Sequence, residues 1–172
     1  MTVYRWLAQG LATACLGSVA TAEVVSAEPD RYVLRHEAVS PLAPDALWDR
    51  LIDPASWWHP DHTYSGDAAN LRLDAQAGGQ WREEWDGGSV LHGAVLQIRD
   101  GETLVLDAPF GPLQSMGVTV IWTITLESAE EGTAIRFDEV AVGASGSGLD
   151  AVAPAVDGVK AEAIARLAAN PG

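Results

Sequence analysis

Residues 81–92, "WREEWDGGSVLH", read as a β-hairpin, and the rest of the chain organises itself around that reading. Strand alternation puts Trp81, Glu83 and Trp85 on one face. With Gly87-Gly88 as a two-residue turn, Glu83 lies opposite His92, Trp85 opposite Val90 and Trp81 opposite Ala94. Moving the turn to Asp86-Gly87 shifts the partners by two and keeps the faces. One carboxylate and one imidazole then share a face with two indoles. Burying Glu83 alone would cost several kcal/mol or shift its protonation, and His92 is the partner that offsets this. Three roles stay open for the pair: a polar anchor in an apolar pocket, a general acid and base, or a couple that only fixes the hairpin.

Outward from the hairpin, strand-like runs cover 69–74, 79–86, 89–99, 102–108, 117–127 and 132–142. Gly78-Gly79, Asp100-Gly101 and Glu131-Gly132 separate them as turns. In 118–126, "VTVIWTITL", Val118, Val120, Trp122, Ile124 and Leu126 face one way and the threonines the other, which predicts a sheet with one covered face. Ile135, Phe137 and Glu139 share a face, so Glu139 is a second candidate inward carboxylate. Upstream, 31–39 is a strand. Pro44 opens a short helix with Leu47, Trp48, Leu51 and Ile52 as its apolar stripe. Asp53-Pro54 ends that helix and caps a second turn that runs into Trp57-Trp58. After a flexible "GASGSG" (143–148), a helix starts between Asp150 and Pro154 and ends near Ala169. Its inward stripe is Val152, Val156, Val159, Ala163, Ile164 and Leu167. These side chains are small, which predicts an interior that is not filled.

The order is strand, two short helices, six strands, long helix. Val39-Ser40-Pro41 into Ala46-Leu47-Trp48, Asp53-Pro54-x-x-Trp57-Trp58, Gly78-Gly79-x-Trp81-x-Glu83 and His92-Gly93-x-Val95 carry a resemblance. So does "TYSGDAANLRLD" (63–74). The chain resembles the SRPBCC or START-like superfamily, also called birch-pollen-allergen-like. Within it, the chain is similar to bacterial relatives of the heat-shock chaperone ATPase activators. The resemblance implies an α+β helix-grip fold over residues 31–169: a curved antiparallel sheet around a long C-terminal helix, with a cavity between. It also implies apolar ligands, and in some members cyclase or hydrolase activity.

In 55–66, "ASWWHPDHTYSG", the expectation is a pocket rim. One of Trp57 and Trp58 plugs the entrance, the other packs under the sheet, and Tyr64 adds a hydroxyl; plain core packing is the competing reading. His59-Pro60-Asp61-His62 offers metal-ligand types, but no second compact cluster of ligands accompanies it, so no metal is expected. Its "HPD" is shared with the J-domain, without the flanking long helices or basic residues of that domain. No phosphate loop, dinucleotide fingerprint or nucleophile motif appears, and no cofactor is expected.

The N-terminus has the three parts of an export signal. Arg5 is its only charge, residues 6–20 are mostly apolar and small, and Ala20-Thr21-Ala22 is a cleavage site. Val25-Ser26-Ala27 is a second possible cut. Cleavage after Ala22 leaves a polar tail, 23–30, and then the domain. It also removes Cys15, the only cysteine, so no disulfide or thiolate chemistry is expected. The formal charge is −14, and loss of Arg5 makes it more negative. That excludes nucleic acid and anionic membrane surfaces as partners. The resulting expectation is a periplasmic or secreted binding protein for a small hydrophobic ligand, lipid- or polyketide-like. No membrane insertion follows cleavage, and a protein partner is left open. Its pocket would be walled by Trp57, Trp58, Trp81, Trp85 and Trp122, with Tyr64, Glu83 and His92 as polar groups. One alternative is a cyclase or hydrolase using Glu83 and His92; another is a chaperone-activator-like interaction module.

Overall fold

The computed structural model describes residues 21–170. Eight antiparallel strands form one sheet in the order β1-β2-β8-β7-β6-β5-β4-β3. They are β1 (Thr21–Glu28), β2 (Arg31–Ser40), β3 (Leu71–Leu73), β4 (Gln80–Trp85), β5 (Gly88–Arg99), β6 (Thr103–Asp107), β7 (Thr119–Ala129) and β8 (Gly132–Val142). Helix α1 (Pro44–Leu51) follows β2, α2 (Pro112–Met116) lies between β6 and β7, and α3 (Leu149–Ala168) closes the chain. Among the described residues no helix is long and apolar enough to cross a membrane. The α+β helix-grip architecture is the one the sequence predicts.

Alternation decides what the sheet covers. Val118, Val120, Trp122, Ile124 and Leu126 are all buried, as are Ile135, Phe137 and Glu139 on β8. Helix α1 begins with Pro44 and buries Leu47, Trp48 and Leu51. Asp53 is not the side-chain cap expected of it; its backbone oxygen takes the Ser56 amide instead. At the far end of α3, the Arg50 guanidinium of α1 donates to the carbonyls of Arg166 (3.0 Å) and Leu167 (3.3 Å), satisfying helix-end acceptors.

The expected polar tail at 23–30 is instead mostly strand: β1 pairs antiparallel with β2, with an irregularity between Val24 and Ser26. Its side chains are nearly all exposed, so it has no apolar alternation to announce it. Backbone pairing at the sheet edge holds it. Of the expected signal segment, only Thr21 and Ala22 lie within the described residues.

The core is two clusters. One gathers the tryptophans with α1 and the C-terminal part of α3 (Ala163, Ile164, Leu167). The other joins Tyr32, Leu34, Leu113, Val118 and Val120 to the helix start at Leu149 and Ala153. Lys160 and Glu139 are buried as well.

Candidate functional site

The β4–β5 hairpin turns at Asp86-Gly87, with Trp85 opposite Gly88 and Glu83 opposite Val90. This is the second of the two registers allowed above, with one change. The register shifts between Trp81 and Arg82, so Arg82 pairs with Leu91 and Trp81 with Gly93, leaving His92 as the extra residue of a bulge. His92 remains on the inward face, buried. Gly93 follows it because a side chain there would meet the Asp107 carbonyl at 2.8 Å.

Glu83 is fully buried. Its Oε1 accepts the Ser65 amide (2.6 Å), and its Oε2 accepts the Tyr64 amide (3.0 Å) and contacts His92 Nε2 (2.9 Å). Burial works to raise its pKa. The hydrogen bonds from Ser65, Tyr64 and His92 outweigh it and hold the carboxyl below its ordinary value. Burial also pushes the His92 imidazole below its ordinary value, against the pull of Glu83. An ionised Glu83 can only accept, so neutral His92 carries its proton on Nε2 and keeps Nδ1 as an acceptor. The pair therefore pins the 63–66 loop onto the sheet.

A cavity of about 570 Å³ opens between this loop, residues 108–113, and one face of α3. Trp58, Phe110, Leu113, Val156 and Val159 supply its apolar wall. His92, Tyr64, Glu139 and Lys160 supply polar atoms. Of the eight side chains predicted to form a pocket, Trp58, Tyr64 and His92 line this one. Glu83 is sealed behind His92. Trp57, Trp81 and Trp122 pack beneath as core, with Trp58 edge-on to Trp81 at 5.5 Å and Trp81 stacked on Trp122 at 5.9 Å. Trp85 is half-buried at the hairpin turn, packed on Gly88, away from the cavity. Neither indole of the Trp57-Trp58 pair plugs the entrance. Both are buried and donate to backbone, Trp57 to Leu51 O and Trp58 to His62 O. The half-exposed Tyr64 reaches across to the Gly111 carbonyl at 3.4 Å.

The polar end of the cavity was only half foreseen. Glu139 faces inward as alternation predicts, but its partner is Lys160 of α3, which sequence reading passed over. Lys160 Nζ lies 2.8 Å from Glu139 Oε2 and 3.1 Å from the Trp122 ring centroid. Tyr32 Oη donates to Glu139 Oε1 at 2.6 Å. Burial, then the charge and hydrogen bond of Glu139, push the Tyr32 hydroxyl far above its usual value, so it stays a donor. Burial lowers the Lys160 pKa and Glu139 opposes that. Lys160 Nζ and Glu139 Oε2 are paired only with each other, and Trp122 Nε1 has no hydrogen-bond partner among the described residues.

Helix α3 adds a third ligand beside His59 and His62, the Glu162 carboxylate. Glu162 lies 3.5 Å from His59 Nε2 and 3.0 Å from His62 Nε2, and the three donor groups fall within 4.8 Å of one another. Two imidazoles and a carboxylate are a set that can hold a divalent cation. To do so they would give up the contacts they now make with each other.

Solved structures share the fold at low identity. A protein from Rhodobacter sphaeroides is 18% identical, with a TM-score of 0.56 over 86% of this chain and 96% of that one. A conserved protein from Enterococcus faecalis is 14% identical, with a TM-score of 0.56 over 87% and 74%. CalU16 from Micromonospora echinospora is 13% identical, with a TM-score of 0.52 over 88% and 86%. A comparison with curated proteins gives no match. The family model described as "Activator of Hsp90 ATPase homolog 1-like protein" matches residues 41–169. The chain therefore belongs to that family, within the SRPBCC superfamily that its hairpin and paired indoles resemble.

Proposed function

We propose that this protein binds one small, uncharged, hydrophobic molecule in the cavity beside α3. The observation that carries the reading is an apolar cavity of about 570 Å³ whose few polar groups, the buried Lys160–Glu139 pair and His92, converge at one end. A volume of this order, apolar with a few convergent polar groups, suits a small-molecule site. The ligand's charge follows from its neighbours. Lys160 is already opposed by Glu139, and His92 is held neutral. A carboxylate ligand would set a second anion beside Glu139 with one cation between them. A neutral carbonyl or hydroxyl would meet Lys160 or His92 Nδ1 without that cost.

Export extends the reading to a carrier in the periplasm, and it rests on residues 1–22 alone. Cleavage after Ala22 would leave residues 23–28 free to pair with β2. For the enzyme alternative with Glu83 and His92 as acid and base, the geometry offers only His92 to a ligand. The interaction-module alternative draws support from the family's name.

Fluorescence titration tests the binding reading, since Trp58 lines the cavity and Trp122 lies beneath it. Cinnamyl alcohol should quench at one site per chain, with cinnamate at least about tenfold weaker, a difference of about 1.4 kcal/mol. Equal or tighter binding of the carboxylate would overturn the charge argument.

A further inference from the structure

Lys160 is the only lysine of the chain; the other nine basic residues are arginines. Every described arginine is exposed or half-buried, whereas Lys160 is 2% exposed. Lysine is among the residues least often buried. Lys160 lines the cavity, and its Nζ, enclosed, lies against the face of Trp122 and 4.9 Å from the Phe110 centroid, with Glu139 as its single counter-charge.

A buried ion pair contributes little net stability over an apolar filling of the same space, so holding α3 to β8 does not require one. Where a buried pair is wanted for structure alone, the arginine fork fits a carboxylate better. What lysine has and arginine lacks is an amine that can lose its proton and act as a nucleophile. Desolvation favours that neutral amine.

We propose that the cavity takes an apolar aldehyde or ketone and that Lys160 joins it covalently as an imine. The inference rests on the binding reading above and names its ligand class. Glu139 takes a proton from the Lys160 ammonium, and the freed lone pair attacks the carbonyl carbon. A C–N bond forms and the C=O π pair moves to oxygen. Glu139 passes its proton to that oxygen, takes a second from nitrogen and delivers it as well, so the oxygen departs as water. The product is a protonated imine. Its charge equals that of the ammonium it replaces, so Glu139 and the Trp122 face serve it as they serve Lys160. No oxidant or reductant is consumed.

The test uses cinnamaldehyde with cyanoborohydride on the whole protein, read by intact mass and peptide mapping. The chain offers one ε-amine and its N-terminal amine, so the assignment is clean. One reduced adduct should appear on Lys160, about 100-fold faster than on Nα-acetyl-lysine amide. Lys160→Arg should lose the adduct. Labelling confined to the N-terminal amine, or a Lys160 rate no higher than that of the model amine, would overturn the imine. If cinnamyl alcohol binds in that case, the cavity reading survives; if it does not, both fall. Mapping on the wild-type protein decides the matter even where Lys160→Arg folds poorly, which near-ultraviolet circular dichroism would reveal.

Discussion

Removing the amine of Lys160 leaves Glu139 buried without its cation. The Lys160→Met variant should therefore lose about 3–5 kcal/mol in urea unfolding. Adding Glu139→Gln neutralises the orphaned charge and still accepts from Tyr32 Oη, so the double variant should recover most of that loss. An additive double variant would show that the two groups do not interact. His92 and Glu83 make a pH prediction. Both folded pKa values are depressed, so the unfolded chain binds more protons and stability falls as pH falls. The loss starts as pH drops through the ordinary histidine value of 6.5 and continues below the ordinary carboxyl value of 4.5. An NMR titration should place the His92 midpoint below 6.5, and a midpoint at or above it would contradict this geometry. Glu139 was legible from alternation on β8. Lys160 was not: it sits on the same helical stripe as Val156, Ile164 and Leu167, but a lysine among alanines and valines reads as solvated. Only the fold brings it to a carboxylate 21 residues away in sequence.

Among the elements, the 63–66 loop depends on β4. Glu83→Gln keeps the shape but exchanges one acceptor oxygen for an amide donor facing a backbone N–H. Hydrogen exchange at Tyr64 or Ser65 should accelerate, with a stability loss of about 1–3 kcal/mol. Unchanged protection there would mean that the loop is held by something else. The hairpin itself was legible because glycines and alternation fix its faces. Its bulge was not, since no residue type announces an extra residue. The same limit hid β1, whose polar, exposed side chains look like a tail and whose structure comes from backbone pairing. A chain starting at Arg31 would expose the β2 edge. It should melt lower and self-associate more than a chain starting at Glu23, as calorimetry and light scattering would report.

On the scale of the whole molecule, the small-sided stripe of α3 correctly foretold an unfilled interior. It did not foretell how much of that interior the tryptophans occupy. The indoles of β4, β7 and the 57–58 turn fill the part under the C-terminal half of α3, with aromatic pairs about 5–6 Å apart. The hollow is displaced to the mouth beneath Tyr64, where α3 passes from one core cluster to the other. Side-chain packing fixes that division, and residue spacing does not encode it. The most direct measurement is native mass spectrometry of the protein recovered from its source cells, beside a Val156→Phe variant that fills the cavity wall. The account predicts one uncharged small molecule per wild-type chain and none in the variant. A wild-type protein that is always empty, or a variant that retains the molecule equally well, would contradict it.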